Sequence, residues 1–105
     1  MVRGEVFRLQ SPRGARGHER CGARYAVVVQ ADEFLDLSTV LVAPTSTSAR
    51  PTSFRPTITL DSEGTRVLVE QTTVVDPQHL GRSAGRLDAS ELRAVDDALM
   101  LVLDL

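Results

Sequence analysis

The sequence predicts a mainly β protein, a small and strongly bent sheet or barrel closed by one C-terminal helix, and three observations lead there. The first seventy residues hold five short apolar or β-branched segments separated by turn residues, only the last twenty show a helical period, and 105 residues make room for one domain over 1–105. Gly4 to Leu9 alternates weakly and follows a short start. Arg24 to Gln30 contains the run Ala26, Val27, Val28, Val29, read as a short strand. Thr39 to Pro44, Thr57 to Leu60 and Thr65 to Val69 complete the set, bounded by Ser-, Thr- and Pro-rich stretches. From Asp76 to Gly85 the reading is a turn opened by Pro77, then a strand. Leu92, Val95, Leu99, Val102 and Leu103 recur at steps of three and four opposite Glu91, Arg93, Asp96 and Asp97, which predicts an amphipathic helix. Asp88 is its expected N-cap, with Glu91 three residues on completing a capping box.

Composition narrows the function classes. With 42% hydrophobic and 25% charged residues the chain has the balance of a folded domain. The single Cys21 cannot form an internal disulfide, and no apolar segment reaches membrane-span length, so a reduced, cytoplasmic setting is expected. The net charge of −2 conceals a polarity: residues 1–55 carry eight Arg against five acids, and residues 56–105 carry four Arg against nine acids. All 12 basic residues are Arg, the side chain whose planar fork grips phosphate or carboxylate at two points. One Cys and two dispersed His give no metal-ligand spacing, and no phosphate-cradling glycine pattern occurs, so neither a metal nor another cofactor is expected.

Two segments carry candidate chemistry. The first is the loop Arg13 to Tyr25, where Arg13, Arg16, Arg20 and Arg24 are interleaved with Gly14, Gly17 and Gly22; guanidinium donors and close-approaching backbone suit a phosphate chain. Arg24 stands where this loop meets the apolar run, so its position is the most rigid of the four. The second is the strand end Val42 to Ser48, with hydroxyls at Thr45, Ser46, Thr47 and Ser48, followed by Arg50. Without an adjacent activating base, spacing alone does not make a nucleophile of any of them. His18 and His79 are the residues whose ordinary titration suits acid–base work.

The order of segments resembles the MazF/PemK family of bacterial toxins nearly end to end. RGEV at Arg3 to Val6 is similar to the family start; Gly17, Glu19, Gly22 and Arg24 fit its G-x-E-x-x-G-x-R-P loop; TVLVAPTS at Thr39 to Ser46 is similar to its T-V-I-V-A-P-I-T-S strand. Downstream, VLVEQTTVVD from Val67, LGRSAGRL from Leu80 and the closing AVDDALMLVLDL continue the match in order. Three positions depart from the pattern: Tyr25 replaces the proline after the loop arginine, Thr73 an arginine, and Arg20 a glutamine. The resemblance implies an SH3-like barrel with a C-terminal helix, a homodimer and a cognate antitoxin. It also implies a metal-independent endoribonuclease that cuts single-stranded RNA to 2′,3′-cyclic phosphate and 5′-hydroxyl ends.

Carried over residue by residue, the family's catalytic arginine falls on Arg24. Its catalytic hydroxyl falls on Ser46 if the strand is counted without a gap from Thr39, and on Thr45 if the isoleucine is deleted. Glu19 and His18 are the candidates for the base. Arg13, Arg16, Arg20, Tyr25, Arg50 and Gln71 are the candidate RNA contacts, Tyr25 as a stacking ring. Two other functions share this architecture: a gyrase-poisoning toxin acting through its C-terminal helix, and a non-catalytic barrel that binds RNA or peptide.

Overall fold

A computed structural model of the chain, describing residues 1–10 and 24–105, shows one antiparallel sheet curled into a half-barrel and closed by a helix. The strands are β1 (Glu5–Leu9), β2 (Tyr25–Val28), β3 (Val40–Ser46), β4 (Thr57–Leu60), β5 (Glu63–Val67), β6 (Thr73–Val75) and β7 (Leu80–Arg86), followed by the helix α1 (Ala89–Leu103). Their spatial order is β4-β5-β3-β2-β1-β7, with β6 also on β3. β3 is the organising strand. Its first half pairs with β6 through Val40–Val75, Leu41–Val74 and Val42–Thr73, and its last two residues pair with β5 through Thr45–Val67 and Ser46–Arg66.

Proline in a central strand normally breaks a ladder, yet Pro44 sits within β3. Its carbonyl accepts from Leu68 N at 2.8 Å. A strand residue's N–H and C=O point to the same side, so the missing donor faces the seam where β3 changes partner from β6 to β5. No ladder bond is lost there.

Alternation along the strands divides the apolar residues between two cores. Val27, Val29, Ala43, Ile58, Leu60, Val67 and Val69 face α1, which inserts Val95 and Ala98 among them. Ala26, Val28, Val40 and Val42 point to the opposite face and pack with Phe7, Leu9, Leu35, Val75 and Leu80, where the sheet curls over. Burial on both faces accounts for the unbroken valine run of β2. Between β1 and β7 the register shifts twice, and Gly85 lies in this irregular stretch with φ of 110°. At the β4–β5 hairpin Asp61 and Ser62 both have positive φ, the two-residue turn whose twist matches its strands.

Most expected elements are present with adjusted ends. β3 runs two residues beyond the expected Pro44. β5 starts at Glu63 and stops at Val67, because Val69–Gln71 turns as a 3-10 helix; β6 lies in a segment given no strand by the sequence. The turn at Pro77–His79 and the strand after it form as read, and Asp76 Oδ1 accepts from Gln78 N at 2.8 Å.

The helix forms over the residues whose period predicts it, with a capped start and an uncovered last turn. Asp88 Oδ1 accepts from Glu91 N at 2.8 Å and Glu91 Oε1 accepts from Asp88 N at 3.0 Å. The second oxygen of Glu91 accepts from Thr59 N at 2.8 Å, so one carboxylate caps the helix and a donor of the edge strand β4. Glu91→Ala is expected to cost about 1–2 kcal/mol, the sum of a lost cap and an orphaned donor, read as a melting temperature lowered by several degrees. The apolar stripe, by contrast, is covered only as far as Leu99, which packs half-buried against the α1-side core. Val102 and Leu103 are exposed, because the last turn extends past the strands that cover Val95. Arg3 fixes the opposite side of the helix: its Nε donates to Val29 O at 2.8 Å and its Nη1 stands 2.7 Å from Asp96 Oδ1. No described helix is long and apolar enough to cross a membrane.

Candidate functional site

The region of interest is the end of the sheet where β2 begins and β3 ends. The β2–β3 register pairs Val28 with Val42, Val27 with Ala43 and Ala26 with Pro44. The ladder runs as far as Ala26–Pro44; carried two steps further, the same alternation would set Tyr25 opposite Thr45 and Arg24 opposite Ser46. The Thr45 hydroxyl, which donates to Tyr25 O at 3.1 Å, supports the first of these steps, and Arg24 O is itself held by Leu9 N at 2.8 Å on the β1 side. Residues directly opposite in an antiparallel ladder share a face, with Cβ atoms roughly 4.5–5.5 Å apart. Arg24 and Ser46 therefore share one face, and Tyr25 and Thr45 share the other.

The two candidate hydroxyls thus occupy different environments. Thr45 is 8% exposed on the α1 side and its hydroxyl is taken up by the Tyr25 carbonyl. Ser46 is half-buried on the Arg24 side, and its oxygen accepts from Ser48 N at 3.2 Å and Ala49 N at 3.1 Å. Two backbone donors fix the Ser46 oxygen, while its hydrogen remains free to point outward or to Ser48 Oγ, 3.2 Å away. β3 reaches this position only because it continues past Pro44.

Arg24 is exposed at the start of β2, held by its backbone in the sheet and projecting a cation beyond it. Arg50 is exposed in the loop after β3. Tyr25 packs its ring against the α1-side core, with its hydroxyl 3.5 Å from Asp61 Oδ2. The structure does not bring that ring together with Arg24. Gln71 is exposed at the end of the 3-10 turn Val69–Gln71, beside Glu70. Glu70 Oε2 accepts from Arg55 Nε at 3.0 Å and is also paired with Arg55 Nη2; this contact holds the Glu70 carboxyl below the usual carboxylate range. Arg55, stacked 5.4 Å over the Phe54 ring, ties the loop after β3 to that turn. Thr73, where the family carries arginine, is exposed on β6. Arg13, Arg16, His18, Glu19 and Arg20 lie outside the described residues.

One neighbour escaped the sequence reading. The β3–β5 register sets Ser46 opposite Arg66, and β4–β5 sets Arg66 opposite Thr57. Arg24, Ser46, Arg66 and Thr57 therefore form a row across four strands on a single face. The available signal was the alternation of Thr65, Arg66 and Val67, which puts the arginine outward between two buried residues. Its link to Ser46 is a long-range pairing that no local pattern contains.

Among the described residues no group of three or more His, Cys, Asp or Glu is placed to hold a metal ion. The chemistry on view is that of fixed hydroxyls and guanidinium donors.

The family model of the PemK-like, MazF-like toxin of type II toxin-antitoxin systems matches residues 2–103. The chain belongs to this family. A candidate toxin of Mycobacterium tuberculosis is 37% identical over 106 residues, spanning 100% of this chain and 99% of that protein. Endoribonuclease MazF9 of the same organism is 34% identical over 116 residues, spanning 100% of this chain and 98% of that protein. Among solved structures, a mycobacterial endoribonuclease in complex with its cognate antitoxin superposes with a TM-score of 0.80 at 18% identity, covering 100% of this chain and 96% of that one. The half-barrel with a terminal helix is thus the fold of this toxin family, and this MazF-like toxin carries Arg24 and Ser46 at the open end of it.

Proposed function

We propose that this MazF-like toxin is a metal-independent endoribonuclease acting on single-stranded RNA, with Arg24 and Ser46 at its catalytic centre. The observation that carries the reading is the shared face of Arg24 and Ser46 at the end of β2 and β3. The name of the relative MazF9 supports the same activity. In the reaction a ribose 2′-oxygen bonds to the adjacent phosphorus while the bond from phosphorus to the 5′-oxygen breaks. A base takes the 2′ proton and the 5′-oxygen gains one, leaving a 2′,3′-cyclic phosphate and a 5′-hydroxyl.

Negative charge accumulates on the non-bridging phosphoryl oxygens in the transition state, and donors already aimed at them lower the barrier. A guanidinium keeps its proton at neutral pH, so Arg24 binds and stabilises rather than accepts. The Ser46 hydroxyl donates to the same phosphoryl group, its oxygen steadied by the Ser48 and Ala49 amides. Glu19 and His18 are the proposed sources of the base. Arg50 and the loop arginines Arg13, Arg16 and Arg20 extend the positive track for the RNA chain.

The apolar end of α1, with Met100, Leu101, Val102, Leu103 and Leu105 exposed, is the kind of surface that protein partners cover. A second copy of the chain and a cognate antitoxin are the proposed partners, as an antitoxin is for the mycobacterial endoribonuclease of the same fold.

The deciding experiment is incubation of the purified protein with a long end-labelled single-stranded RNA in EDTA. A few discrete cuts ending in cyclic phosphate support the reading; intact RNA from a folded protein refutes it. The two hydroxyls separate in the same assay. Ser46→Ala is expected to slow cleavage roughly 10- to 100-fold, equivalent to about 1.4–2.7 kcal/mol of transition-state stabilisation. Thr45→Val removes a buried hydroxyl and should instead lower stability by about 1 kcal/mol while keeping kcat within about threefold, a difference of less than one decade in rate.

A further inference from the structure

Arg66 is the charged member of the four-strand row that the reaction above leaves unused. It is half-buried, and its Nε is shielded from solvent with no hydrogen-bond partner among the described residues. Other arginines packed into the structure have carboxylates: Arg3 has Asp96 and Arg55 has Glu70. The cross-strand neighbours of Arg66 are Ser46 on one side and Thr57 on the other, neither of them acidic. Its Nη1 lies over Gly64, 3.6 Å from where a Cβ would stand, so the guanidinium runs along β5 away from Ser46 across a position with no side chain. A shielded guanidinium donor without an acceptor is costly. The Nη1 end over Gly64, which faces no carboxylate across the neighbouring strands, is where an arriving anion would meet this charge.

Spacing decides which anion. Arg66 stands two strands from Arg24, about 10 Å at the usual inter-strand distance, and leans outward from there. Although Arg66 is directly across from Ser46, its guanidinium is directed along β5 over Gly64, away from the phosphate at Arg24 and Ser46 and onto the path of a chain continuing across β3 and β5. We propose that Arg66 binds a non-scissile phosphate of the RNA, next to the one cleaved, in a subsite floored by Gly64 and bordered by Thr57. This inference rests on the endoribonuclease reading and adds to it a direction for the bound RNA, from β2 towards the β4–β5 hairpin. Arg66 contributes affinity and register, not chemistry.

The test is single-turnover cleavage of a short oligonucleotide by the wild type, Arg66→Gln and Arg66→Lys, with salt varied. Arg66→Gln is expected to weaken half-saturation about 10-fold with kcat within twofold, and to reduce the slope of log affinity against log salt by about 0.7, one phosphate contact on a single strand. Arg66→Lys should restore the salt slope, since it keeps the charge. A neutral linkage placed in turn at each phosphate flanking the cut should, at one position, weaken the wild type and leave Arg66→Gln unaffected, whereas at every other position the two proteins should respond alike. Equal half-saturation and salt slope for wild type and Arg66→Gln would overturn the subsite while leaving the nuclease standing. A folded wild type that neither cuts nor binds RNA would overturn the nuclease reading itself. Should Arg66→Gln fold poorly, the neutral-linkage scan on wild type beside Arg66→Lys decides the question, with uniform tolerance of the flanking linkages counting against the proposal.

Discussion

Replacing Arg24 by alanine is expected to reduce RNA cleavage by at least 100-fold and to leave the fold unchanged. The size follows from the role: removing one preorganised donor from a developing oxyanion typically costs about 10²–10³ in rate, and Arg24 carries a full charge as well as a fork of donors. The specificity of the effect follows from the position. Arg24 is exposed, its backbone carbonyl supplies the contact to Leu9, and alanine retains that carbonyl. A melting temperature within a degree or two of the wild type is therefore part of the expectation. Arg24→Lys keeps the charge and loses the planar fork, so it should fall between the two, about 10-fold below wild type if the second donor contributes a hydrogen bond's worth of about 1.4 kcal/mol. Wild-type rates in a folded Arg24→Ala protein would remove Arg24 from the chemistry.

The sequence makes some of this legible and hides the rest for physical reasons. Strands β1, β2 and β4 and the capped start of α1 are written in local patterns: alternation, a valine run, and the pair Asp88 and Glu91. The beginning of the site is equally local, because Arg24 marks the junction of a glycine-rich loop with an apolar strand. The choice between Thr45 and Ser46 is not local. It depends on which face each side chain takes, and that is set by pairing with Tyr25 and Arg24 about twenty residues earlier in the chain. Sequence counting left both open because sliding a strand by one residue exchanges its faces. Arg66 is hidden for the same reason, since Ser46, the partner that ties it to the site, is twenty residues away. The opening RGEV shows the reverse case: Arg3 is a structural clamp between β2 and α1, and its place in a motif reflects packing rather than chemistry. Helical periodicity likewise describes which residues share a stripe and not how far the partner surface extends, so Val102 and Leu103 continue the pattern beyond the last covered turn.

That division of α1 yields the second large effect. Val95 is fully buried in the α1-side core, with Val27 and Val67 each likewise 0% exposed, and the residues of that cluster are all apolar. Val95→Asp must either bury an unpaired carboxylate or pull the helix from the sheet. Either course costs several kcal/mol, on the order of the 4–5 kcal/mol at the severe end of single substitutions. A domain of this size has about twice that in reserve and shifts its melting temperature by about 4–8 °C per kcal/mol. A fall of more than about 15 °C, or no folded protein, is therefore expected. Leu103→Asp is the matched control: it sits two turns on in the same stripe but is 58% exposed, so the monomer fold should lose less than about 1 kcal/mol. If Leu103→Asp also destabilises strongly, and does so in proportion to protein concentration, the end of α1 is part of a subunit interface and its stability is that of the assembly. If both variants melt like the wild type, α1 does not close the half-barrel in solution.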